Sequence, residues 1–165
     1  MNLKRFFQPL PHPCLPSAAL LLLRVVVGSA FILHGWGKIQ HPFSWAPPQS
    51  PLTIPGIFQS LAAISEFGGG IALILGLLTP LAALGIGSTM TVALYLHMIV
   101  RKDPFVNMTG GPGFELPAVY FGIAVLILAL GPGKFSLDAK IFSSPPKNGE
   151  EEPTRLSPPR RNDPC

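Results

Sequence analysis

Four stretches of the chain carry almost nothing polar, and segments rich in proline, glycine and charge separate them. They run over residues 17–36, 57–78, 81–100 and 116–130. None alternates with period two. Continuous apolar runs of this kind read as helices, because only helices or closed barrels satisfy their own backbone in lipid. The first three have the ~20 residues that cross ~30 Å of hydrocarbon at 1.5 Å per residue, and the fourth must recruit Phe114 and Glu115 to reach across. The pattern predicts an all-α, polytopic membrane four-helix bundle over residues 17–142, with a flexible N-terminal tail at 1–16 and a disordered C-terminal tail at 143–165. Little more than Thr79 and Pro80 separates the second and third runs, so these two helices form an antiparallel hairpin. Pro80 suits the first turn of the third helix, where its missing N–H is no loss.

Of the 165 residues 48% are hydrophobic and 12% charged, which excludes an ordinary water-soluble domain. Four spans put both termini on one side. Eight basic residues (Lys4, Arg5, Lys134, Lys140, Lys147, Arg155, Arg160 and Arg161) flank the bundle there, against Lys38, Arg101 and Lys102 on the other side. That bias predicts cytoplasmic termini and a multi-pass protein of the cytoplasmic membrane. The basic tails then serve as topology signals and contacts to anionic lipid, and the net charge of +4 needs no nucleic acid to explain it. Arg24 interrupts the first apolar run, and the run has full length, so it reads as a span rather than a cleaved signal peptide. Cys14 and Cys165 offer neither metal-ligand nor CxxC spacing. The proline-rich loop at 40–56, with Phe43 and Trp45, has the composition of an interfacial cap over the outer mouth.

Two charges stand out against this background: Arg24 in the first run and Glu66 in the second. An ionised group at mid-membrane depth costs several kcal/mol, so it is expected to face a protein interior, a partner or a water-filled cavity. Counting from the cytoplasmic edge puts Arg24 ~10 Å and Glu66 ~18 Å deep, a difference of ~8 Å that a long arginine can largely span. Arg24 and Glu66 are therefore expected to share one intramembrane polar site as an ion pair, which either takes part in chemistry or only fixes the bundle. Small residues at four-residue spacing, Gly68, Ala72 and Gly76 on the second helix and Ala83, Gly87 and Thr91 on the third, suggest the packing seam of the hairpin.

A second polar set gathers at the ends of the spans. His34 and Lys38 close the first, His97 and Arg101 the third, and Glu115 opens the fourth. Singly, each reads as an interfacial anchor. Jointly, with Trp36 and Tyr95 beside them, His34, Lys38, His97 and Glu115 make a candidate quinone-head-group or proton-exchange site, where imidazole and carboxylate trade protons with the ring. His34 and His97 also admit axial haem ligation, which two histidines at helix ends support only weakly. No metal site and no covalently held cofactor is implied; quinone is the cofactor this polar set suggests.

The run Arg24, Gly28, Phe31, then His34-Gly35-Trp36-Gly37-Lys38-Ile39 resembles the first-helix signature of the DoxX family of membrane proteins. Glu66-Phe67-Gly68-Gly69-Gly70 with Leu75-Gly76-Leu77-Leu78-Thr79-Pro80-Leu81-Ala82-Ala83 is similar to that family's second-helix motif and turn, and Gly131-Pro132-Gly133-Lys134-Phe135-Ser136-Leu137-Asp138 resembles its ending. The resemblance covers about residues 17–142. It implies a compact four-span protein of prokaryotic cytoplasmic membranes. Some members of that family are subunits of thiosulfate:quinone oxidoreductase or of terminal quinol oxidases, and others are associated with oxidative or thiol stress. No defined catalytic set carries over; Arg24, Glu66 and the His34-Gly35 pair are the matching positions.

Two functional classes follow. In the first, the chain is a small integral component of a quinone-linked redox system, dependent on a redox partner subunit and not a complete enzyme alone. In the second, it is a membrane scaffold that recruits a soluble redox or stress enzyme through its tails, with the Arg24 and Glu66 charges purely structural. A transporter would require a homo-oligomer.

Overall fold

The computed structural model describes residues 14–48 and 50–142; the expectations for the two tails lie outside these residues, apart from 14–16. All regular structure in the described residues is helical: α1 Cys14–Gln40, α2 Gly56–Leu75, α3 Thr79–Tyr95 prolonged by a π-helical turn Leu96–Val100, α4 Glu115–Leu130 and a short α5 Leu137–Phe142. The four long helices form an up-down-up-down bundle, with α1 on α2, α2 on α3 and α3 on α4. α1, α2 and α3 with its π-helical turn are long and apolar enough to cross a membrane, while α4 is a shorter apolar helix. α1 begins three residues before the expected boundary, because Pro16 sits in its first turn, where no amide donor is needed. Its 27 residues extend ~40 Å, beyond the hydrocarbon thickness, and carry Lys38 toward the loop end of the bundle.

Lipid provides no hydrophobic drive between helices, so they associate through close packing. A Cβ at Gly28 would sit 2.6 Å from the Gly70 carbonyl oxygen, and one at Gly35 would sit 2.5 Å from the Phe67 nitrogen. Only glycine lets α1 and α2 approach this closely. Gly69 meets Ile86 across the hairpin, and Gly85 meets Ser65. The seam is therefore not the expected stripe. Gly68 and Ala72 line an open groove, Gly87 faces Ala124 of α4, and Gly76 ends α2 in the left-handed conformation at φ 65°. One residue is ~100° of rotation on a helix, so the pattern of small residues locates the seam only to within a neighbouring face. Inside, Val27, Phe31, Leu73, Ala83, Ile86 and Ile127 form the core, and Phe31 reaches Tyr120 of α4 with ring centroids 5.0 Å apart.

Candidate functional site

Arg24 lies at the end of the bundle where α1 begins and α4 finishes, and it is fully buried. One terminal guanidinium nitrogen donates to the Pro132 carbonyl and the second terminal nitrogen to the Phe135 carbonyl, at 2.6 Å in the second case. Asp138 completes the arrangement. Its carboxylate accepts from the amides of Leu78 (2.7 Å) and Thr79 (2.8 Å), and its own amide donates to the Gly76 carbonyl at 2.8 Å. The free amides at the start of α3 are thus capped by a side chain nearly sixty residues away. Asp138 also attracts the guanidinium electrostatically. The 131–138 segment is a clamp that ties α1, the α2–α3 turn and the end of α4 together, and Arg24 is its bolt.

The expected Arg24–Glu66 pair is not formed. Lys38 Nζ donates instead to both carboxylate oxygens of Glu66, at 2.6 and 2.7 Å. The cause is the direction of the chain. In a helix each Cα–Cβ bond leans toward the N-terminus. Arg24 on α1 therefore leans toward the terminal end and lies against Gly76, ten residues of α2 (~15 Å) from Glu66. Lys38 leans back into the bundle, and Glu66, on the antiparallel α2, leans out to meet it. Depth along the chain carries nothing of this lean.

The ion pair forms part of the wall of a cavity of about 390 Å³ between α2, α3 and the first loop. Phe58, Leu61, Val92 and Leu96 supply apolar wall, and Ser65 and Thr89 add hydroxyls. The Glu66 side chain is 4% exposed and that of Lys38 27%, so the carboxylate is the deep member of the pair. Trp45 forms another wall, with Lys38 Nζ 4.6 Å from its ring centroid, a cation–π contact that holds the ammonium in place. The loop is pinned by Gln59. Its backbone carbonyl accepts from Trp45 Nε1 at 2.8 Å, its side-chain oxygen accepts from the Ala46 amide at 2.9 Å, and its side-chain nitrogen donates to the Ile54 carbonyl at 2.8 Å. The loop thus supplies part of the cavity wall through Trp45 and Ile54. Gln59 escaped the sequence reading; a lone amide near the start of an apolar span was the available signal.

The remaining members of the expected quinone set are not gathered here. His34 is exposed and packs edge-on to Phe31 and Tyr120 at the α1–α4 seam. His97 Nδ1 pairs with Asp103 at 2.7 Å, across the wide turn that the π-helical segment opens. Glu115 is exposed at the start of α4. Polar groups toward one end of a bundle still meet different neighbours, Tyr120 for His34, Asp103 for His97 and Glu66 for Lys38. Of the four, only Lys38 reaches the cavity, and it brings Glu66 rather than a histidine.

The DoxX family model matches residues 19–98, which takes in Arg24, Lys38, Glu66 and all of α3. The inner membrane protein YqjF of Escherichia coli is 30% identical over 125 residues, which cover 75% of this chain and 92% of that protein. The chain belongs to the DoxX family. An uncharacterized protein of Haemophilus influenzae is 33% identical over 125 residues, covering 74% of this chain and 90% of the relative. A third relative, the uncharacterized membrane protein Rv3486 of Mycobacterium tuberculosis, is 28% identical over 133 residues, covering 74% and 81%. No solved structure matches. This DoxX protein is a multi-pass membrane protein, and its surroundings are the lipid bilayer.

Proposed function

We propose that this DoxX protein is the small integral component of a quinone-linked redox system of the cytoplasmic membrane, its termini cytoplasmic, and that the Lys38–Glu66 cavity receives the quinone ring. The observation that carries the reading is a paired ammonium and carboxylate in the wall of a largely apolar cavity of ring-accommodating size. A quinone supplies a two-electron, two-proton couple when bound. Lys38 Nζ is the donor for one ring oxygen, and Glu66, the deeper of the two, holds or releases the proton that accompanies reduction or oxidation. Phe58, Leu61 and Leu96 exclude water and leave the polar edge of a flat ring as the part that must find Lys38. The sequence carries neither a nucleotide-binding glycine fingerprint nor a cysteine cluster, so the electrons belong to a partner subunit's redox centre.

Titration of the protein in nanodiscs with a tail-less benzoquinone, followed by quenching of tryptophan fluorescence, tests the reading, because Trp45 lines the cavity. Saturable quenching is expected for the native chain. Lys38→Met loses one charge-assisted hydrogen bond and should weaken binding by about tenfold or more, while Gly37→Ala, which faces open space, should leave it unchanged. Equal affinity in the native chain and Lys38→Met would defeat the reading.

A further inference from the structure

The cavity borders on the place where Ser65 and Gly85 meet across the hairpin. These two residues also line a second hollow of about 280 Å³, which runs down the outside of the α2–α3 hairpin to Leu78 at the turn. Its floor is small, made by Gly68, Gly69, Ala72, Ala82 and Gly85, and its rim is bulky, made by Ile64, Leu81 and Leu78, all exposed. The hairpin seam lies one face inward, at Gly69 and Ile86, so the chain's own side chains leave the groove unfilled. From the level of Glu66 to Leu78 the two hollows together offer roughly 18 Å of apolar track, running from the ion pair toward the α2–α3 turn at the terminal end of the bundle.

We infer that this groove takes the isoprenoid tail of the quinone whose ring the Lys38–Glu66 cavity receives; the inference rests on that reading. Adjacency is the argument. A ring at Lys38 and Glu66 has its tail leaving past Ser65 and Gly85, the residues common to both hollows. In lipid the groove confers no hydrophobic gain, since acyl chains are as apolar as its walls. What favours the tethered tail over free lipid is effective concentration: once the ring is held, the tail's occupation of the groove is intramolecular. The side chain of Leu78 at the far end and the small floor then set a preference for a narrow chain lying along the hairpin.

The test compares a tail-less benzoquinone with the same ring bearing a short isoprenoid tail, in nanodiscs, for the native chain and two variants. Affinities are referred to the quinone concentration in the bilayer, and the readout is the ratio between the two quinones, so partition into lipid cancels between variants. Gly68→Leu fills the groove; a Cβ there meets only Ile64 of its own helix, at 3.9 Å. Gly122→Leu adds the same bulk on α4, where nothing lies within 4 Å. Gly68→Leu should lower the preference for the tailed quinone by about fivefold and leave tail-less binding within about twofold, while Gly122→Leu changes neither. An unchanged preference in Gly68→Leu assigns the groove to bilayer lipid or a second copy and overturns the inference. So does a fall in both variants, which signals a loosened bundle, or loss of tail-less binding in Gly68→Leu. If the native chain binds neither quinone, the ring reading fails and the inference falls with it.

Discussion

Replacing Lys38 by Met removes the counter-charge of a carboxylate that is almost wholly enclosed. Deleting one partner of a buried pair costs ~3–5 kcal/mol, because the other charge is left without compensation. The Lys38 side chain is itself 27% exposed, so the site is not wholly sealed from its surroundings and the low end, ~3 kcal/mol, is expected for Lys38→Met. Glu66→Gln is milder. It leaves an ammonium near the mouth that keeps its contact with Trp45 and can turn toward water, so ~1 kcal/mol is expected. The double variant should then cost ~2 kcal/mol rather than the ~4 of simple addition, a coupling of ~2 kcal/mol. Arg24 is the comparison. Lying ~15 Å from Glu66 along α2, it should show a coupling to Glu66 below ~0.5 kcal/mol. Equilibrium unfolding of the single and double variants in mixed detergent micelles measures both cycles. An Arg24–Glu66 coupling as large as that of Lys38–Glu66 would refute the charge assignment and the direction-of-chain argument behind it.

The clamp predicts that Asp138→Ala is among the costliest single changes in the bundle, at ~3 kcal/mol or more, since it uncaps α3 and removes the charge beside Arg24; the same unfolding assay measures it. Gly35→Ala and Gly28→Ala should each destabilise by ~1–3 kcal/mol through forced separation of α1 and α2, whereas Gly37→Ala and Gly122→Ala, facing open space, should be neutral or gain up to ~1 kcal/mol of helix propensity. Gln59→Ala should release the first loop, read as faster proteolysis between residues 41 and 55 and as loss of the Trp45 fluorescence shift that burial produces, with little change in proteolysis at the second loop.

Sequence alone determined the number, order and approximate limits of the four long helices, though not the short α5 or the π-helical turn that ends α3. Backbone groups in lipid must be satisfied within each segment, so apolar run length translates directly into helices, and the short link at Thr79 and Pro80 into a hairpin. It also singled out Arg24 and Glu66, because a charge in an apolar span is conspicuous whatever surrounds it. Their partners belonged to the tertiary structure. Which charge meets which depends on the lean of each side chain, on the rotation of each helix about its axis and on the return of residues 131–138 across the end of the bundle. One-dimensional depth carries none of these. His34, His97 and Glu115 lie toward the same end of the bundle as Lys38 but meet other neighbours, and Gly68 shares a helix with Gly69 but not its face. The tertiary fold therefore separated one expected site into two: a structural clamp at Arg24 and Asp138, and an ion pair in a cavity wall at Lys38 and Glu66. Helix formation is a local response to lipid, while charge pairing is a contest between neighbours that only three-dimensional packing resolves.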